Sequence, residues 1–447
     1  MKQEEEAKKA RVKTGARVWT LIWLLGVAGQ ICWNMENQWF NTFVYAKIGK
    51  DPSIITGMLI FSAAATTFST FFFGTWSDRL GKRRIFISLG YILWGIFTIV
   101  FGLTQFISVD HYVLMSVMVV LADTVMSFFG SMGSDAAFNA WTNDLMTDQN
   151  RGQIGAALAT QPVLGTLLGT VVGGLLVGSG DHYMRLFLVM GIIVIAFGIL
   201  SAFSMNSGDD VAPSRRGSFW KQFASVFDFR SFFQRKELVC VFLSVMIFFI
   251  GFNIYFAYLG NYLIYYLGFT ADQMGIIEAV PLVLAMLTSI PVSGLINRNH
   301  HFGVSLFAIA INAVGLWLMV PVKAGALDTS KIFHPILFIG ILLVGIGYID
   351  YIQTARVWCK QLYPADSRGQ FEGIWIIFFV LLPMIGGSLI GQKVVTSSGE
   401  TFLDAASAQI QYIPNGNIFL VGSLISILSL IPLIFARREF VRRNGLS

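Results

Sequence analysis

Apolar runs long enough to cross a bilayer follow one another along nearly the whole chain, broken by short polar segments. About 20 apolar residues rising 1.5 Å each cover a hydrocarbon core of about 30 Å. The pattern therefore predicts twelve membrane-spanning helices, over 18–45, 54–74, 85–107, 112–140, 153–178, 184–205, 238–264, 273–296, 302–322, 334–358, 371–394 and 418–436. An even number places both termini on one side. The longest polar break divides six spans from six, giving an N-terminal six-helix bundle over 1–205, a linker over 206–237 and a C-terminal six-helix bundle over 238–447. Within the linker, Phe219, Phe223, Val226 and Phe227 recur at helical spacing with Lys221, Arg230 and Arg235 between them. That spacing predicts an amphipathic helix lying in the interface.

Composition fixes the class. Hydrophobic residues make up 55% of the 447 and charged residues only 13%, about half the charge of a soluble chain. A soluble enzyme, a secreted disulfide scaffold and a disordered protein are excluded. Cys32, Cys240 and Cys359 have no metal-ligand spacing, and the five histidines fall at span ends or in loops. No HExxH, GxSxG or P-loop pattern occurs, so neither an enzyme nor a cofactor is expected. The net charge of +6 reads as orientation: the side of the termini holds 24 Lys and Arg, and the other side six. The positive-inside rule then makes both termini cytoplasmic in a multi-pass cell-membrane protein whose partners are the lipid bilayer and a small solute, with no nucleic acid. The first apolar run is far longer than a signal-peptide core, so it is expected to remain as a span.

The two halves repeat each other at an offset of 216 to 219 residues. Trp141, Leu145, Arg151, Gly152 and Gln153 match Trp358, Leu362, Arg368, Gly369 and Gln370 at identical spacing, and Asn37 matches Asn253. Six intervening spans preserve the direction of insertion, so the repeats are parallel.

The segment Gly74-Thr-Trp-Ser-Asp78-Arg79-Leu-Gly81-Lys82-Arg83-Arg84, placed after the second span, resembles the G-x-x-x-D-R-x-G-R-R signature of the major facilitator superfamily of secondary transporters. Asp144-x6-Arg151-Gly152 and its repeat around Arg368 resemble the same family's second pattern. The resemblance implies an all-α integral membrane fold of twelve transmembrane helices in two pseudo-repeated bundles, working as a monomer. It further implies a cytoplasmic gate in which Gly74, Asp78, Arg79, Gly81, Arg151 and Arg368 take part, Asp78 and Arg79 latching the N-terminal bundle against the eleventh span. Within the superfamily, Asp135-Ala-Ala-Phe138-Asn-Ala140 resembles the glycoside-pentoside-hexuronide cation symporters. Where those carry two aspartates in the second span, this chain has Thr66 and Thr70.

Ionisable groups at membrane depth are functional candidates because each is costly there. Glu36, Asp123, Asp135, Glu278 and Asp350 qualify, with Arg356 as the one internal base. Five acids against one base means that some are neutral or hold a cation, which suits coupling to a proton or a sodium ion. In the first span, Gln30, Asn34, Asn37 and Asn41 form a polar stripe that lipid would reject, so it must line a cavity or another helix. Asn253, Asn261 and Tyr258 suggest a matching face in the second half, with amides suited to sugar hydroxyls. Glu36 points away from the stripe by helical angle. The expected activity is symport of a small polar solute, a sugar or glycoside, by alternating access. A drug or metabolite antiporter and a non-transporting sensor are the alternatives.

Overall fold

In the computed structural model the described residues are 15–147, 150–206, 209–214, 217–224, 229–364, 368–405 and 407–443. Among them twelve helices are long and apolar enough to cross a membrane: α1 (Ala16–Ile48), α2 (Pro52–Leu80), α3 (Arg83–Phe106), α4 (Val109–Asp144), α5 (Arg151–Val177) and α6 (Tyr183–Ser204) in the first half. The second half holds α7 (Lys236–Tyr266), α8 (Ala271–Ile296), α9 (His301–Met319), α10 (Pro335–Leu362), α11 (Phe371–Ser398) and α12 (Asn417–Arg443). All twelve coincide with apolar runs of the sequence, several of them longer because polar ends continue past the hydrocarbon.

Local chemistry sets the ends. Asp51 caps α2, its carboxylate accepting from the Ser53 N–H, with Pro52 in the first turn. Thr270 and Gln273 form a capping box at α8. Gly81 ends α2 in the left-handed region at φ 69°. The signature segment expected as a loop after the second span is therefore mostly helix: Gly74 to Leu80 form the last turns of α2, and only Gly81 and Lys82 make the turn. The backbone also carries the repeat, since α1 and α7 both finish in π-helical turns, over Val44–Ile48 and Tyr262–Tyr266.

Helices approach closely where glycine permits. Gly95 of α3 lies against the Gly191 carbonyl of α6, and Gly315 of α9 against the Gly340 carbonyl of α10. Such small-residue contacts replace the hydrophobic driving force that lipid removes between helices.

The two halves meet along α1/α7, α2/α11 and α5/α8, and the contacts gather on the side opposite the termini. A Cβ on Gly174 of α5 would stand 3.0 Å from the Ala271 carbonyl of α8, one on Gly275 2.8 Å from the Thr170 carbonyl, and one on Gly260 2.8 Å from Thr42. Hydrogen bonds run from Asn261 to the Asn41 carbonyl (3.3 Å), from Tyr258 to the Pro52 carbonyl (3.4 Å) and from Thr56 to the Ser388 carbonyl (3.2 Å). A hairpin unforeseen in the sequence, β1 (Glu400–Leu403) paired antiparallel with β2 (Ile410–Ile413), completes this seal. Its Tyr412 N–H donates to the Lys50 carbonyl at 2.8 Å, and the Lys50 ammonium sits over the Tyr265 and Phe402 rings. On the side of the termini, no described residue lies within 4 Å of a Cβ placed on Gly74, Gly152, Gly155 or Gly294. Among the described residues no hydrogen bond or ion pair joins the two halves there directly.

The linker is helical over Phe219–Ala224 and Phe229–Phe233. Phe219 and Phe223 rest on Phe72 and Phe68 of α2, while Phe232 is buried against Phe242 of α7. Val226 and Phe227 of the expected amphipathic helix lie outside the described residues. Trp220 and Phe233 stay exposed, as residues facing lipid do.

Candidate functional site

The amide stripe of α1 splits into two rows. Gln30 and Asn34 face α5, where a Cβ on Gly165 would clash with Gln30 and one on Gly169 with the Asn34 amide oxygen. Gln38, one helical step off the predicted stripe, extends this row by accepting from the Thr170 hydroxyl at 2.9 Å. Glycines at 165, 169 and 173 in α5 let α1 lie close, so these amides serve helix packing. The second row meets α7 at Asn41. Asn37 and Asn41 each donate to the carbonyl four residues back, at 2.7 and 3.0 Å, and the Asn41 carbonyl receives Asn261. Asn253 repeats the Asn37 bond in the second half, donating to the Phe249 carbonyl at 2.8 Å, and its Cβ packs against Gly387 of α11 as Gln30 packs against Gly165 of α5. Asn37 and Asn253 are half-buried, whereas Asn41, Asn261 and Tyr258 are buried in the seam.

Glu36 faces α4, where Ser127 donates to it at 2.8 Å, and Asp123 and Asp135 of the same helix lie close enough to act on it electrostatically. Asp135 sits beside Ser131 and Trp33, within a π-helical stretch of α4 over Met132–Phe138. That wider turn is a frequent mark of functional positions in helices. In α2, the Thr70 hydroxyl is 2.6 Å from Ser131, which donates to the Thr66 carbonyl. Glu36 of α1 thus stands between two carboxyls of α4, with α2 contributing hydroxyl and carbonyl oxygen only.

The remaining acids are separate. Glu278 of α8 reaches across the seam to the Gln38 amide. Asp350 of α10 is fully buried, and neither carboxyl oxygen has a hydrogen-bond partner among the described residues. Arg356, the internal base of the sequence reading, pairs with none of the five. It binds Glu372 of α11 at 2.9 Å and stacks on the Trp375 ring at 4.7 Å. Glu372 is the second residue of the predicted span 371–394, at the membrane edge, and is not among the acids picked out at membrane depth.

At the signature turn, Arg83 does the clasping. Its buried guanidinium binds Asp78 at 2.6 Å, Asp144 at 2.8 Å and the Ser77 hydroxyl at 2.6 Å. Arg79 instead reaches the linker, donating to the Gly217 carbonyl at 2.9 Å and to Gln222 at 3.1 Å. The Gly81 carbonyl accepts from the Val211 N–H at 2.9 Å, and a Cβ on Gly81 would collide with the Val211 carbonyl. In this conformation the signature residues hold the linker and each other. Arg151 opens α5 and Arg368 opens the Arg368–Ile376 helix, the Arg368 side chain lying outside the described residues.

A family model for the Major Facilitator Superfamily matches residues 22–327. No curated protein sequence matches the chain. Among solved structures, the nucleoside transporter NupG superposes at TM-score 0.67 over 94% of this chain and 98% of that one, at 13% identity. A bacterial homologue of the human lysosomal transporter Spinster, in an inward-facing and unoccupied conformation, superposes at TM-score 0.69 over 96% and 98%, also at 13% identity.

Proposed function

This chain belongs to the major facilitator superfamily, a family of secondary transporters, and we propose that it carries a hydroxyl-rich organic solute, a sugar, glycoside or nucleoside, in symport with a proton or another cation. Residues 1–205 and 238–447 act in this reading as the two rocking bodies, with the termini in the cytoplasm. A seam sealed on the far side and unjoined on the side of the termini is then an inward-facing state.

The observation that carries the substrate reading is the matched pair Asn37 and Asn253. Each donates one amide N–H to its own helix at the same position of the repeat, which fixes the side chain and leaves the amide oxygen and the second N–H for a solute hydroxyl. The nucleoside named for NupG enters because its sugar offers the same hydroxyls. Coupling is supported by the Glu36, Asp123 and Asp135 cluster, which no Lys or Arg approaches among the described residues. Carboxyls so placed bind a proton or a cation more readily when dry than when wetted.

Uptake into proteoliposomes separates the readings. A panel of sugars, glycosides and nucleosides is offered under an imposed pH or sodium gradient, with wild type beside Asn37→Ala and Asn253→Ala. Accumulation along the gradient, weakened about tenfold by either variant through loss of a charge-free hydrogen bond, is expected. Binding without flux would make the chain a sensor, and flux only against an opposing gradient would make it an antiporter.

A further inference from the structure

Of the five membrane-depth carboxyls, Glu278 alone touches both halves of the protein. Its Oε2 accepts from the Gln38 amide of α1, whose own oxygen accepts from Thr170 of α5. Helices α1 and α5 belong to the first half and α8 to the second, so this chain of three side chains crosses the seam. It lies among the close contacts of Gly275 with Thr170 and Gly174 with Ala271. Glu278 is 9% exposed, and its Oε1 is buried with no partner.

A proton can shift a two-state equilibrium only if the two states hold it differently. Glu36, Asp123 and Asp135 sit inside the first half, and Asp350 inside the second. From those positions titration reaches the seam only indirectly. Glu278 reaches it directly. We propose that Glu278 is a proton-operated clasp on the far-side gate: protonated, it holds α8 to Gln38 and keeps the seam shut; deprotonated, it favours the open seam, where water solvates the carboxylate.

The surroundings agree. The titratable groups on the helices packed around it include Asp272 on α8 itself, Glu36, Tyr45 and Lys47 on α1, Tyr255, Tyr258, Tyr262, Tyr265 and Tyr266 on α7, Tyr348, Asp350 and Tyr351 on α10 with Arg356 and Lys360 toward its distant C-terminal end, Arg151 at the distant start of α5 and His301 at the distant start of α9. Among the described residues no Lys, Arg or His forms an ion pair with the Glu278 carboxyl, and burial is what dominates its surroundings. An ionised carboxylate in this seam would keep one amide donor and no counter-charge, an expensive arrangement. A neutral acid accepts the same amide without that cost. Closure therefore takes up a proton and opening releases it. This inference rests on the reading of the chain as an alternating-access transporter and says which carboxyl links the gate to the proton.

The test needs no solute, so its failure is distinct from a failure of the uptake experiment. Hydrogen–deuterium exchange of the full chain in nanodiscs, corrected for intrinsic rates, is followed over 38–56 and 262–280 between about pH 5 and 9. In wild type, protection is expected to fall as pH rises, by at most about tenfold per pH unit for one linked proton. Glu278→Gln, which keeps an acceptor and cannot ionise, should stay protected throughout. Gln38→Leu, which removes the other half of the clasp, should exchange fast at every pH. A wild type with flat protection, or a pH profile retained in Glu278→Gln or in Gln38→Leu, would overturn the proposal.

Discussion

Replacing Gly275 by alanine perturbs the far-side seam at one atom. The added Cβ would stand 2.8 Å from the Thr170 carbonyl, a backbone atom of a neighbouring helix that cannot swing aside. Helices α5 and α8 must part by a few tenths of an ångström or more, and overpacking of this kind costs about 1–3 kcal/mol. Alanine also improves helix propensity by about 1 kcal/mol, but equally in both conformations, so that gain cancels in their ratio. The closed state should lose about 5- to 150-fold relative to the open one. The assay is labelling by a membrane-impermeant maleimide of a cysteine at position 42, in a chain with Cys240→Ser. Thr42 is fully buried in the seam and bonds its own helix, so Thr42→Cys reports opening. Labelling should speed up by that factor. The companion Gly294→Ala meets nothing within 4 Å, and should leave the rate unchanged or lower it by hindering closure of the other end. Equal rates in Gly275→Ala and its parent would refute the view that this glycine contact holds the gate.

Two further outcomes concern the signature turn. Gly81→Ala should release the linker: the left-handed conformation costs a non-glycine residue about 1–2 kcal/mol, and the Cβ drives out the Val211 carbonyl. Faster proteolysis between 209 and 224 is the readout, and an unchanged digest would show that the turn does not fasten the linker. Arg83→Ala strands Asp78 and Asp144 and should lower stability by about 1–3 kcal/mol, less than a fully buried pair would because Asp78 is half exposed. A melting temperature in detergent equal to wild type would contradict that role.

Hydropathy located every spanning helix because lipid tolerates so few exceptions to apolar composition. It did not locate partners. Helical angle alone put Gln30, Asn34, Asn37 and Asn41 on one stripe, yet a helix about 10 Å wide touches two neighbours, and Gly165 and Gly169 of α5 divide that stripe between them. Gln38 escaped notice for the same reason: it continues the row of Gln30 and Asn34, which the predicted stripe leaves for Asn37 and Asn41. The angle did place Glu36 away from the amides, but that it meets Ser127 depended on the packing of α4. Glu372 and the β1/β2 hairpin sit at or beyond the membrane edge, where composition is mixed and the period of the pattern carries little information.

The central claim is that the two halves open alternately about one cleft. It is tested most directly by double electron–electron resonance on two label pairs, Ser53 with Lys393 across the far-side seam and Gln153 with Leu295 across the side of the termini, all four positions being exposed. When pH is raised or a transported solute is added, the first distance should lengthen as the second shortens. Distances that grow together, or that both stay fixed while solute crosses the membrane, would contradict the account.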